Sequence, residues 1–579
     1  MKDELNALLG QAFAALDLPF PDKGRIENTR DKAHGDLAAN HAMVAAKQVG
    51  MPPRELAARL RDALPASPLV RQVDIAGPGF LNVFLNADAR TTVLADIHEQ
   101  GERYGHAPPN NQRVLVEFVS ANPTGPLHVG HGRGAAYGDC LVRLLRAAGT
   151  QVDAEYYVND AGRQIDILAT SVWLRYLQQA GQTLEFPRKA YQGDYIRESA
   201  TRLHAQHDDA LTRDLAASLA TDLLPADDET TGDAHLDGTI AAAKTLLGTA
   251  GYATVLQHIL REQLTDIESD LAAFGVHFDA WASEAAVVDD GSVRAALDDL
   301  ARGGHTYEKD GALWFASERF GDDKDRVLLR ANGAATYFAN DIAYHRQKIG
   351  RGYDRLVDVW GADHHGYVPR MKAAMQALTG QGDKIDVQLV QFVSLLRDGE
   401  KVSMSTRAGT YVTLADLRRE VGNDAARFFY VMRSNDQALE FDLALATRES
   451  ADNPVYYLQY AHARICSVLA QAAERFGPTD PSGGLAHRER LTDDTEVALL
   501  NVLGRFGESV GNAARQLGPQ IVVHYLREVA EGFHRWYNAV PFLVDDTEAR
   551  AARLCLAAAV AIVLRNGLAL LGVSAPERM

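Results

Sequence analysis

Residues 113–139 read RVLVEFVSANPTGPLHVGHGRGAAYGD. The first seven are β-branched and apolar enough for a buried strand. A loop of small and imino residues follows, and from about Gly130 a helical pattern runs through Leu141, Leu144 and Leu145 to Gly149, a residue suited to the left-handed position that closes a helix. QVDAEYYV (151–158) then reads as a second strand. Strand, helix, strand is a βαβ unit, and such units build parallel sheets. The rhythm returns downstream: a helix near Asn340–Ile349, the strand RLVDVW (355–360), the loop GADHHG (361–366), a helix Tyr367–Leu378 and the strand VQLVQFV (387–393). Between the two halves, roughly 185–300, the pattern is largely helical and carries an acidic loop, PADDETTGDAHLDG (225–238). The expected core is therefore a Rossmann-like parallel sheet over 109–449, split by a helical insertion.

An open parallel sheet takes its ligand beyond the carboxyl ends of its strands, where strand order reverses. The loop after residue 119 is such a place. Gly130, Gly132 and Gly134 would let a ligand lie close to the backbone, and the first helical turn would point free N–H groups and the positive end of its dipole outward. His128 and His131 could donate hydrogen bonds to phosphate oxygens as charge builds in a phosphoryl transition state. The competing reading of the same residues is a packed core histidine beside glycines that only allow close helix packing. No GxxxxGK[ST] and no GxGxxG occurs, which disfavours P-loop NTPases and dinucleotide oxidoreductases. A second cluster lies in LLRDGEKVSMSTRAGTYVTL (395–414). There Lys401, Ser403, Ser405, Thr406 and Arg407 could clamp a polyphosphate, and a solvated hairpin is the alternative.

A chain of 579 residues is too long for one core. Residues 1–108 read as a small α/β unit, with helices at Glu4–Leu16 and Pro53–Leu64 and a strand pair in VDIAGPGFLNVFL (73–85); HAPPNNQ (106–112) reads as a linker. From 450 to 579 only helical periodicity remains, as in Val522, Tyr525, Leu526, Val529, Phe533 and Trp536. The net charge of −18 argues against a general nucleic-acid binder but not against a local basic surface. Cys140, Cys466 and Cys555 are scattered, which suits a reducing cytoplasm and offers no metal site. The N-terminal residues lack the pattern of a signal peptide. The apolar run Leu554–Leu564 is broken by Arg565 and Asn566, so a buried helix is expected and no membrane partner.

The HxGH loop and the SMSTR loop together resemble the two signatures of class I aminoacyl-tRNA synthetases. The wording of residues 113–139, with YVNDAGRQI (157–165), TYFANDIAYH (336–345), YLQYAHARICSVL (457–469) and APERM (575–579), resembles the bacterial arginyl-tRNA synthetases over essentially the whole chain. AHGDLAAN and AGPGFLNVFL resemble that family's N-terminal domain, which is thought to touch the tRNA elbow. The resemblance implies ATP-dependent activation of L-arginine to arginyl-adenylate, with Mg²⁺ accompanying ATP, and transfer to the terminal ribose of tRNA-Arg. It assigns ATP contacts to His128, Gly130, His131, Gly361, Asp363, His364, Met404 and Ser405. Glu117, Ser120, Asn122, Tyr337 and Asp341 would face arginine, and Tyr456, Tyr460, His462 and Arg464 in the all-α bundle would face tRNA. A guanidinium is a planar fork of N–H donors that carboxylates match, and Tyr337 and Asp341 share a helix face, so chemistry and resemblance agree there.

The chain departs from the family's KMSKS wording: both signature lysines are absent, and PTGPL before HxGH carries none. Lys401 or Arg407 is expected to supply the missing cation. Three other readings remain beside the arginyl one: a small-molecule nucleotidyltransferase, another class I synthetase, or a synthetase-like tRNA binder without catalysis. For lack of an obvious association face, a cytoplasmic monomer is expected.

Overall fold

The structure, a computed structural model, describes residues 1–29, 32–215, 224–397, 399–402, 411–478 and 480–579. Near the N-terminus, β1 (Ile26–Asn28), β2 (Leu37–Ala39), β3 (Val70–Ala76) and β4 (Phe80–Leu85) form an antiparallel sheet in the order β1-β2-β4-β3. Leu5, Leu9 and Phe13 of the first helix and Leu56 and Leu60 of the third close over it into a core of their own. That core ends at Leu85. The next helix, α1 (Ala87–Gln100), instead sends Val93, Leu94 and Ile97 into the main core of the molecule. The break in packing thus falls short of the linker read at 106–112, because a helix's apolar face does not announce which domain it will cover.

β5 (Arg113–Glu117), α2 (Val129–Ala147) and β6 (Gln151–Val158) make the expected βαβ unit. The helical insertion then builds its own core around Trp173, Leu203 and Ile259. It returns to the sheet through β7 (Ala280–Ser283), which leads directly into α3 (Glu284–Asp289). The insertion therefore closes earlier than 300; a four-residue strand, AWAS, is too short to show a period. A small antiparallel sheet of β8 (Thr306–Lys309), β9 (Ala312–Phe315) and β10 (Arg326–Leu329) precedes α4 (Tyr337–Gly350). β11 (Arg355–Gly361) and β12 (Ile385–Val390) complete the main sheet, whose order is β12-β11-β5-β6-β7 with every pair parallel. The order reverses between β5 and β11, where Glu117 stands opposite Asp358.

The apolar run 387–393 does not continue as one strand. β13 (Val393–Arg397) belongs to a second sheet with β14 (Glu400–Lys401) and β15 (Leu439–Asp442), while Gln391 between the two sheets donates its N–H to Asn435. The helical region includes α5 (Pro454–Phe476), α6 (Gln520–Ala539) and α7 (Thr547–Leu570) and shares one continuous core with the sheet domain. α7 is the one helix among the described residues long and apolar enough by composition to cross a membrane, and most of it is buried within the bundle. Its apolar residues serve as core.

Candidate active site

Past β5 the chain turns sharply, with Val119 and Ser120 both at positive φ (69° and 43°). Two side-chain-bearing residues in the left-handed region, one β-branched, mark stored backbone strain of the kind found at ligand sites. The turn directs the Ser120 hydroxyl to Glu117 Oε1 (3.1 Å) and leaves it to accept the Tyr157 N–H (3.1 Å). Two adjoining cavities open at this switch point. One, of about 410 Å³, is lined by Glu117, Glu284, Tyr337 and Asp341; the other, of about 610 Å³, by His128, Gly130, His131 and Gly134. Ser120, Asn122, Asn159, Trp360, Gly361 and His364 border both.

The smaller cavity is an acidic one. Among its described lining residues there is no Lys or Arg. Burial raises the Asp341 carboxyl above its usual range, although the Tyr367 hydroxyl donates to Asp341 Oδ2. Burial pushes Glu284 up to about 7; the Asn340 amide 3.4 Å away opposes that shift, and the charges of Asp341 and Asp160 add to it. Glu117 is different, because a cation stands behind it. Lys348, fully buried on α4, donates its ammonium to Glu117 Oε2 and to Asp358 Oδ1 (2.8 Å). His345 on the same helix bridges the Asp341 carbonyl (2.8 Å) and Asp358 Oδ2 (3.0 Å). Tyr344 sits between Glu155 (2.6 Å) and Glu117 (2.9 Å), and Arg351 clasps Glu155 through two bonds of 2.5 and 2.8 Å. One face of α4 is thereby fastened to β5, β6 and β11 by paired charges, while the carboxylates at the cavity wall wait for a cation from outside. Buried charges persist only when paired, so the geometry asks for a cationic ligand.

The larger cavity has no Lys or Arg among its described lining residues, and Asp363 is the acidic residue among them. His128 is the N-cap of α2 and His131 its third residue. His128 Nδ1 accepts the N–H groups of Gly130 (3.0 Å) and His131 (3.4 Å), and His131 Nδ1 accepts the His128 N–H (3.3 Å). The HxGH spacing is thus that of a capping box made from two imidazoles. With each Nδ1 occupied as an acceptor, a neutral ring carries its proton on Nε2. Burial lowers both rings, His131 to about 3, and the rings stack with centroids 3.6 Å apart. The free backbone N–H groups expected at this helix start are taken: Val129 donates to Val412, and Gly132 to the His128 carbonyl. An anion here meets imidazole N–H rather than backbone. Gly132 is also not a ligand-facing residue, since a Cβ there would lie 2.7 Å from Leu414 and 2.9 Å from the Tyr430 hydroxyl; at Gly134 a Cβ would meet nothing within 4 Å. Arg133 is buried and donates to the carbonyls of Gln391, Gln437 and Ser434.

The other expected residues divide. Asp363 and His364 line the larger cavity, as does Phe392, whose ring is 66% exposed and which nothing in the sequence singled out. Met404, Ser405 and Arg407 lie outside the described residues; on either side of them in sequence, Val393 of β13 and Tyr411 line the same cavity, Tyr411 with its ring 6.1 Å from His128. Lys401 lines neither cavity; it is solvent-exposed with its ammonium 3.8 Å from Glu440. In the bundle, Tyr456 and Tyr460 stack 6.0 Å apart, and the Arg464 guanidinium lies over Tyr460 (4.5 Å) and Tyr537 (4.8 Å). His462 does not join them: it is buried, with Nδ1 2.9 Å from the Pro576 carbonyl, and fixes the C-terminal tail. Glu284 and Lys348 were missed in the sequence. Recognising AWAS as a strand would have put Glu284 at a strand's carboxyl end; nothing local marks Lys348 as buried.

Three family models match in series: the arginyl-tRNA synthetase N-terminal domain over residues 3–85, the class I (R) tRNA synthetase catalytic domain over 93–442, and the DALR anticodon-binding domain over 458–579. The arginine–tRNA ligase of Thioalkalivibrio sulfidiphilus is 54% identical with both chains fully covered, and that of Halorhodospira halophila is 53% identical, again with both covered in full. The chain belongs to the arginyl-tRNA synthetases. The arginyl-tRNA synthetase of Thermus thermophilus has the same fold over the whole of both chains, with a TM-score of 0.75 at 24% identity. As a synthetase of this family, the enzyme uses ATP to activate L-arginine as arginyl-adenylate and transfers the arginyl group to the 3′-terminal ribose of tRNA-Arg. In this chain an acidic cavity abuts a glycine-lined one that carries two imidazoles.

Proposed function

We propose that the acidic cavity holds arginine and the His128–His131 cavity holds ATP. Asp341 and Glu284 take the guanidinium, with Tyr337 beside them; Glu117, Ser120 and Asn122 face the end that reacts. The Nε2–H groups of His128 and His131 meet phosphate oxygens, and a donor already oriented by a helix cap stabilises developing charge without reorganising. Gly130, Gly361, Asp363 and His364 border the nucleoside, with Met404 and Ser405 from the second signature loop. The observation that carries this reading is the pair of unneutralised carboxylates, Asp341 and Glu284, at the wall of a cavity that opens onto the imidazole pair.

Mg²⁺ accompanies ATP. No group of three or more His, Cys, Asp or Glu able to hold a metal occurs among the described residues, and Asp363 is the one acidic residue lining the larger cavity, so the donor set fits an ion carried mainly by phosphate oxygens. When bound, it neutralises phosphate charge. Arg407 is the remaining candidate for the missing signature cation, Lys401 being turned to Glu440. Residues 1–108 contact the tRNA elbow, the catalytic part spans 109–449, and 450–579 bind the anticodon arm through Tyr456, Tyr460 and Arg464, whose aromatic faces and cation suit unstacked bases. The enzyme acts as a cytoplasmic monomer away from membranes. Arginine- and tRNA-dependent pyrophosphate exchange tests the assignment: His131→Asn should raise the KM for ATP, Asp341→Asn the KM for arginine, and chelation of Mg²⁺ should abolish exchange. Interchanged or absent effects on the two KM values would overturn it.

A further inference from the structure

Tyr157, near the end of β6, is 7% exposed, yet its hydroxyl is buried without a hydrogen-bond partner. Such groups are uncommon in native structures, and one that lines a cavity points to a ligand. The residue is firmly placed. Its N–H donates to Ser120 Oγ (3.1 Å), its Cα pairs in register with Ala282 of β7, and its ring lies 4.4 Å from that of Tyr344. The phenol borders the acidic cavity, where burial together with the charges of Glu284, Asp341, Glu117 and Asp160 raises it far above the usual phenol range. The neighbouring hydroxyls are already spent: Tyr367 on Asp341, Tyr344 between Glu155 and Glu117, Ser120 on Glu117. Asn340 adds a second idle acceptor, since its amide nitrogen reaches Glu284 and its Oδ1 is buried and unpaired.

We propose that the Tyr157 hydroxyl is a specificity-determining contact for the arginine side chain, its idle oxygen accepting a guanidinium N–H. A guanidinium carries five N–H donors in one plane, more than one carboxylate can accept in-plane, and it has no acceptor. A buried phenol oxygen among carboxylates therefore gains a bond from arginine, whereas an ammonium, with its donors out of plane, or a neutral side chain would leave it unpaired. The inference rests on reading the acidic cavity as the arginine site.

The test is Tyr157→Phe in the full-length enzyme, assayed by tRNA-dependent pyrophosphate exchange and by thermal unfolding with and without arginine. The expected result is a rise of about 10- to 100-fold in the KM for arginine, the range for losing a hydrogen bond to a charged group. The turnover number at saturating arginine and the KM for ATP should stay within about threefold. Because the hydroxyl has no partner in the free enzyme, the ligand-free melting temperature should be unchanged or higher, while the upward shift caused by arginine shrinks. An unchanged arginine KM and shift, or a lowered ligand-free melting temperature with equal losses for both substrates, would overturn the proposal. Asp341→Asn separates the two levels: if it too leaves arginine affinity intact, the cavity assignment is wrong; if it weakens arginine and Tyr157→Phe does not, only the role of Tyr157 is.

Discussion

The two cavities at the switch point share a wall and solve opposite electrostatic problems. The acidic side carries Asp341 and Glu284 without a paired cation and holds Glu117 in place with a buried ammonium. The imidazole side carries two histidines that burial lowers below their ordinary range and the carboxyl of Asp363, with no Lys or Arg among its described lining residues. On the proposed assignment, selectivity for arginine comes from buried carboxylates assembled during folding, and recognition of ATP from imidazole donors already aimed by a helix cap.

The largest expected effect is that of Asp341→Asn, which removes one of the two carboxyls and leaves Glu284 in place. Loss of one side of a buried charge-assisted contact typically costs about 2–5 kcal/mol, so kcat/KM for arginine should drop by about 30- to 5,000-fold with the KM for ATP nearly untouched. A comparable loss on both substrates would erase the distinction. Lys348→Met attacks the stored charge itself: Glu117 and Asp358 would be left buried without their ammonium. Breaking such a pair costs roughly 3–5 kcal/mol, so the unfolding transition of the catalytic region should move down clearly, and Lys348→Met combined with Asp358→Asn should recover part of the loss. Equal melting of Lys348→Met and the parent would show that the triad carries no structural load.

A titration sharpens the same contrast. Glu284, with burial as its main cause, is pushed up to about 7 in the free enzyme. A raised carboxyl favours the neutral form, so its contribution to ligand-free stability is present at acid pH and fades as pH rises through about 7; arginine binding favours the anion and runs the other way. The KM for arginine should therefore rise about tenfold from pH 8 to pH 6, and Glu284→Gln should flatten that profile. Over the same range the KM for ATP should vary least, within about twofold, because burial holds His131 near 3 and lowers His128 below its ordinary value. An ATP profile that tracks the arginine one would overturn the separation of the two cavities.

Much of the scaffold was legible because it is written locally. The run RVLVEFV, the glycines after HxGH and the strand RLVDVW carry their own periods, and their parallel pairing follows from βαβ connectivity. The strand AWAS and the small sheet β8–β10 carry too few residues to show one. Among site residues, Glu117 and Asp341 could be named from the wording of their segments. His462 was misread because its neighbours Tyr460 and Arg464 look alike in sequence, and only the path of the C-terminal tail over it removes it from the surface.

The order of the elements, the two signature loops and the choice of Glu117 and Asp341 as candidate acids could be read from the sequence, because these depend on residue type and spacing along the chain. Only the tertiary structure decided that HxGH is a capping box, that Lys348 is the ammonium beneath Glu117, and that Glu284 and the idle Tyr157 hydroxyl face the same cavity. The first depends on the backbone conformation of one helical turn, and the other two on burial and on contacts between segments more than a hundred residues apart; the free energy of a charge or a hydroxyl is set by what surrounds it rather than by what precedes it in the chain.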